Sequence, residues 1–159
     1  IECIPLPGTF DAIVSSSTFQ WLNHPKAVFK KFAEHLTTEG ILAFSTFGKE
    51  NLYELKTITH QGLVYPDRIE WTKLLAEDFD VLYTEEAKHT LYFSDPIDII
   101  RHIKRTGVNA VGRADGWTKG RLDHFCAEYR LLFSSSRGLP LTYHPMYFVC
   151  RKKKGCRPD

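Results

Sequence analysis

Apolar residues along the chain arrive in two rhythms. Over "FDAIVSS", Phe10, Ala12, Ile13 and Val14 form a nearly unbroken apolar run, as expected of a central strand covered on both faces. In "HPKAVFKKFAEHL", Ala27, Val28, Phe32 and Leu36 recur near helical spacing, with Pro25 early in the helix and Gly40 as its expected stop. "ILAFSTF" then reads as a second apolar strand. So much chain between two strands rules out a hairpin and predicts a parallel βαβ unit with a right-handed crossover.

Beyond it, "DRIEWTKLLAEDF" carries Ile69, Trp71, Leu74 and Leu75 at helical spacing. A long strand, "DVLYTEEAKHTLYF", and a last strand, "TYHPMYFVCRKK", are rich in Tyr, Val and Phe and are expected to pair antiparallel at a sheet edge. Two helices lie between them. "SDPIDIIRHIKRTG" has Ser94 or Asp95 as its cap and Gly107 as its stop; "TKGRLDHFCAEYRLLF" follows a glycine-broken loop.

Composition changes this picture little. The 159 residues are 43% hydrophobic and 25% charged, an ordinary globular balance with enough length for a real core. No apolar run is long enough to cross a membrane, and the first residues lack a signal-peptide pattern. Cys3, Cys126, Cys150 and Cys156 form no C-x-x-C, which argues against zinc or a disulfide framework and for a reducing, cytoplasmic setting. The histidines show no metal-ligand spacing. Two features do not fit a complete open α/β sheet: the chain starts just before its first central strand, and no glycine-rich phosphate-type turn occurs. The expectation is a fragment.

The segments "IPLPGTFDAIVSSSTFQWL" and "GILAFSTFGKENLYEL" resemble the fourth and fifth strands of S-adenosylmethionine-dependent methyltransferases of the seven-strand type. "TFQWL", "AFSTFGKENLYEL" and above all "YFSDPIDIIRHIKRTGVNAV" are similar to the malonyl-[acyl-carrier protein] O-methyltransferase family of biotin synthesis. The resemblance implies an α/β fold: the C-terminal half of a Rossmann-like methyltransferase sheet, with a helical insertion before the last strand. Residues 1–93 and 140–152 would form the core, 94–139 an insertion facing substrate and carrier, and 153–159 a basic tail. It also implies S-adenosylmethionine as cofactor, with the glycine-rich loop upstream of Ile1 and Glu2 near the adenine.

Methyl transfer to an ionised carboxylate needs no strict general base, and no Ser-His-Asp arrangement is found. Ser15 and Ser16 end the first strand, beside the crevice where such sheets bind ligands, and are read as cofactor residues. Phe19 and Trp21 would wall the methyl donor and acyl group; the plain alternative is turn-capping hydroxyls and core aromatics. Arg101 flanks the stripe Ile97, Ile100 and Ile103. On spacing alone it is a surface arginine, and the resemblance makes it the clamp for the malonyl carboxylate. Tyr92, Phe93 and Asn109 line the same pocket or serve core and loop, and His102 is expected on the helix surface.

Between Arg101 and Arg121 the bases Arg101, Lys104, Arg105, Arg113, Lys119 and Arg121 face the single acid Asp115. That imbalance would steer an acidic carrier protein; nucleic acid is the weaker reading, and a solvated face the plain one. Two rivals stand beside a malonyl-carrier or malonyl-coenzyme A methyltransferase. One is another small-molecule methyltransferase on the same sheet; the other is a non-catalytic half-domain that only binds.

Overall fold

The computed structural model describes residues 1–106 and 117–155. In chain order the elements are β1 (Phe10–Ser16), α1 (Pro25–His35), β2 (Leu36–Phe47), α2 (Tyr53–Thr59), α3 (Arg68–Leu75), β3 (Phe79–Glu86), β4 (His89–Phe93), α4 (Pro96–Arg105), α5 (Lys119–Phe133), β5 (Leu139–Tyr143) and β6 (Pro145–Lys152). They form two compact units. The first comprises Ile1–Lys49, Tyr65–Ala87 and 145–155; the second comprises Glu50–Val64 and, among the described residues, 88–106 and 117–144.

In the first unit a four-stranded sheet runs in the order β1-β2-β6-β3. β1 and β2 are parallel, as the βαβ reading requires, and β6 lies antiparallel to β2 and to β3, the outer strand. α1 turns Val28, Phe29, Phe32 and Ala33 inward, the spacing of one helical face. Those rings meet Phe44, Trp71, Phe79 and Phe148 in the core. Phe44 and Phe148 are direct cross-strand partners, stacked 4.8 Å apart at 10°. Such a pair adds about 1 kcal/mol beyond its burial. α3 begins in a capping box: Asp67 accepts from the Glu70 amide at 2.8 Å, and Glu70 accepts from the Asp67 amide at 2.6 Å.

Gly40 does not stop α1. The helix ends at His35 and β2 starts at once, so Gly40 lies inside a strand. A side chain there would meet the Leu36 Cβ and the Thr37 carbonyl at 3.0 Å, so the glycine serves a close approach. The extra residues show as a register shift between Phe10 and Ala12 in the β1–β2 ladder.

The expected long strand over 80–93 is two strands in two sheets, β3 and β4, and the expected last strand divides likewise at His144 into β5 and β6. Pro145 has no amide to continue a ladder. The His144 amide leaves the sheet to donate to Asn51 Oδ1 at 3.2 Å. This moves the expected boundary of the helical region. β4 and β5 pair with each other from His89↔Tyr143 to Phe93↔Leu139 and belong with α4 and α5 rather than with the larger sheet. The second unit also takes in α2, a short helix that the sequence reading passed over.

The second unit's core joins Leu52 and Leu55 to Ile99, Ile100 and Ile103, to Phe125 and Tyr129, and to Leu139 and Leu141. Asp95 caps α4 by accepting from the Ile97 amide at 2.8 Å, and Thr118 caps α5. One fully buried carboxylate, Glu54, accepts from the Thr142 amide at 3.0 Å and from its hydroxyl at 2.6 Å. Gly138, at φ +107°, closes the turn into β5, and a Cβ there would lie 2.7 Å from the Phe93 carbonyl oxygen. Gly138→Ala is expected to cost about 2 kcal/mol or more through strain and backbone clash. A urea unfolding curve checks this.

Candidate functional site

The parallel strands β1 and β2 end side by side in hydroxyl groups. Ser16 Oγ lies 3.2 Å from Ser45 Oγ, and the two residues are register partners. The chain then turns sharply at Ser17, whose φ of +51° is unusual for any residue but glycine. The Ser17 amide donates to the Ser45 carbonyl at 3.0 Å and lies 3.2 Å from Ser45 Oγ. Thr18 Oγ1 donates back to the Ser16 carbonyl at 3.0 Å. A 3-10 turn over Phe19–Trp21 follows, with Gln20 at its centre. The carboxyl end of this parallel pair is thus a shelf of small hydroxyls, where open α/β sheets receive ligands.

Ser15 and Thr18 also line one end of an open groove of about 390 Å³, whose apolar walls include Leu6, Phe10, Ile13 and Val14. Phe19 touches this groove, but its ring is only 2% exposed and sits among Phe29, Phe32 and Phe44. It is foremost a core residue, the alternative that the sequence left open. Trp21 is exposed. Ser45 and Gln20 escaped the sequence reading. "FSTF" carries the same signal as "VSS", a hydroxyl residue at the end of an apolar parallel strand.

Glu2, expected near the adenine, lies at the start of α1. Its carboxylate accepts from the amides of Asn23 and His24 at 2.8 and 2.7 Å, where α1 begins without a side-chain cap of its own. An anion is favoured there by unpaired amides and the helix dipole. The His24 amide foremost, joined by Asn23, holds the Glu2 carboxyl below its usual 4.5. A depressed folded-state value means stability that is present above about pH 4.5 and is lost as pH falls through the lowered value. Glu2→Gln is expected to lower stability above about pH 4.5, pH 7 included, and to converge with the wild type as pH falls through the lowered value, so that the acid limb flattens. Urea midpoints at pH 3 to 7 test this.

In the second unit Arg101 stands on the outer face of α4, its side chain 67% exposed and paired with Asp98 at 2.9 Å. Lys104 and Arg105 follow on the same helix, and Lys119 and Arg121 open α5; all four are exposed. Tyr92 is half-buried under the Arg137 guanidinium, 4.1 Å from the ring centre. His102, expected on the helix surface, is half-buried. Its Nε2 lies 2.9 Å from Tyr143 Oη, and its ring packs on Phe93. Asn109 and Arg113 fall outside the described residues.

The described thiols are poor nucleophiles, apart from exposed Cys3. Burial pushes Cys150 up to about 12 and also raises Cys126. Among the described residues no group of His, Cys, Asp and Glu is arranged to hold a metal ion. No helix among them is long and apolar enough to cross a membrane.

A family model described as a methyltransferase domain matches residues 1–44. Homologues named malonyl-[acyl-carrier protein] O-methyltransferase align along nearly the whole chain. That of Calditerrivibrio nitroreducens is 41% identical over 97% of this chain and 62% of its own length. That of Bacteroides fragilis is 41% identical over 96% of this chain and 31% of its own length, and that of Prosthecochloris aestuarii 44% identical over 92% and 54%. The chain therefore spans between about a third and three fifths of these relatives. Solved structures share the fold at low identity: a candidate methyltransferase from Bacillus halodurans C-125 (TM-score 0.62, 13% identical, 96% of this chain and 69% of that one) and the [4+2]-cyclase SpnF (TM-score 0.54, 14% identical, 97% and 54%). The fold is that of the class I methyltransferases.

Proposed function

We propose that this chain is the acceptor-recognising portion of an S-adenosylmethionine-dependent O-methyltransferase that esterifies the free carboxylate of malonyl-acyl carrier protein, in the route to biotin. The observation that carries this is identity of about 40% to proteins of that name, over alignments that cover 96–97% of the chain. Fold likeness alone would not, because a cyclase shares it.

The residues present suit one side of the cofactor. The groove end offers apolar walls and the hydroxyls of Ser15 and Thr18, with Ser16 beside them, but its lining residues include no carboxylate to bind a ribose diol. Ser15 and Ser16 are the residues we assign to it, and Glu2 is not, being engaged at α1. S-adenosylmethionine, when bound, supplies a methyl group on a positively charged sulfur. The chain's own task is then to orient an acceptor carboxylate that is already ionised and to strip it of water.

Arg101 is the residue we assign to the malonyl carboxylate. A guanidinium presents two parallel N–H donors that match two carboxylate oxygens. Its existing partner, Asp98, forms an exposed pair worth at most about 1 kcal/mol, so exchange for a substrate carboxylate costs little. Trp21 and Tyr92 are the aromatic residues we assign to the acyl arm. The exposed cations of α4 and the start of α5 would steer an acidic carrier, an attraction that weakens with salt.

The test is to incubate the full-length gene product with S-adenosylmethionine and malonyl-carrier protein and read the intact mass of the carrier. A product one methyl heavier, reversed by mild ester cleavage, supports the assignment; unchanged carrier in the presence of bound cofactor removes it. Malonyl-coenzyme A run in parallel shows which carrier of the acyl group is used.

A further inference from the structure

We propose that Gln20, acting with Ser45, is a positioning residue for the methyl-transfer site: it clamps Ser17 in a left-handed turn, so that the hydroxyls on either side keep one arrangement. This rests on the functional reading above.

Ser17 is the residue that needs a clamp. A side chain at φ +51° is strained relative to ordinary backbone. Its amide is held by the carbonyl and hydroxyl of Ser45, and its carbonyl accepts from Gln20 Nε2 at 2.5 Å. The other end of the Gln20 amide is tied down as well, since Oε1 accepts from Thr46 Oγ1 at 3.4 Å, and Thr46 is buried in β2. Gln20 therefore bridges the turn to the second strand, while neighbouring Phe19 pins the 3-10 turn to the core. Both ends of the Gln20 amide are committed to the protein, and its part in the site is to work through Ser17. What the turn fixes is the shelf: Ser16 bonded to Ser45 on one side, and Thr18 bonded to the Ser16 carbonyl on the other.

A strut of this kind governs geometry more than stability. Hydrogen bonds among partly exposed groups contribute little to stability, whereas misplacing reacting groups by an ångström can cost up to a hundredfold in rate. Gln20→Ala removes both ties. Gln20→Glu keeps the length and the acceptor for Thr46 but has no donor for the Ser17 carbonyl. Ser17→Gly lifts the conformational penalty that the strut opposes.

The experiment measures kcat, both KM values and the unfolding midpoint in the full-length gene product. Wild-type methylation of malonyl-carrier protein is established first, because its absence would count against the functional reading and not against this one. Gln20→Ala and Gln20→Glu are expected to lower kcat about tenfold, with KM values within about twofold and the folded fraction unchanged at assay temperature. Ser17→Gly combined with Gln20→Ala is expected to recover kcat several-fold over Gln20→Ala alone. Full kcat in Gln20→Ala, a loss that follows the unfolded fraction, or a double variant no faster than the single would each overturn the proposal.

Discussion

Arg101→Ala lowers methyl transfer to malonyl-carrier protein by about a hundredfold and leaves the fold untouched, if the clamp assignment holds. The size follows from removing one preorganised charged donor from the reacting group, which typically costs two to three orders of magnitude in rate. The lack of a stability effect follows from exposure. Arg101 sits on the outside of α4 and gives up only the surface pair with Asp98. Arg101→Lys keeps the charge without the two-pronged fork, and is expected about tenfold below wild type. The check is kcat/KM with malonyl-carrier protein beside thermal melts of each variant. A wild-type rate in Arg101→Ala would return this residue to the surface arginine that its spacing alone describes.

Glu54→Ala is expected to destabilise the second unit by about 3–4 kcal/mol, the largest stability change of any single substitution considered. Glu54 is fully buried and receives both donors of Thr142, its amide at 3.0 Å and its hydroxyl at 2.6 Å. Truncation leaves a buried backbone amide without a partner and a cavity where the carboxylate stood. Glu54→Gln should cost about 1 kcal/mol, because a hydroxyl can turn from donor to acceptor and accept a hydrogen bond from the new amide N–H. Denaturant unfolding of both variants, with hydrogen exchange at the Thr142 amide, separates the two cases. Equal losses would mean that volume rather than hydrogen bonding sets the cost.

Much of the larger sheet was legible in the sequence, because both signals that specify it are local. The apolar run of β1, the helical spacing of α1 and the chain length between strands suffice for a parallel pair, and the aromatic richness of the last strands anticipated the antiparallel β3–β6 ladder. The division at 87–88 and at 144 was not legible. A strand that changes sheets keeps its period-two pattern through the change, and only Pro145 hinted at a break. α2 went unread because its seven residues hold little periodicity, and it is fixed by distant groups such as Thr142. At the candidate site, strand position was enough to place Ser15 and Ser16 at the carboxyl end of β1. It could not distinguish Phe19 in the core from Trp21 in the open, since both stand in one short aromatic turn. The bonds from the Asn23 and His24 amides to Glu2 were not legible either, because they join residues more than twenty positions apart.

The outer position of β1 has a practical consequence. Among the described residues this strand has a hydrogen-bonded neighbour on one side only, and Val14 on it is 77% exposed. Asp11 is its sole charge, and no lysine or proline interrupts it. Edges are normally guarded by such residues, because a free row of amides and carbonyls beside apolar side chains recruits other strands. These 159 residues prepared by themselves are therefore a poor candidate for concentrated solution. Their tendency to aggregate should rise with protein concentration and ease when a charge replaces Val14.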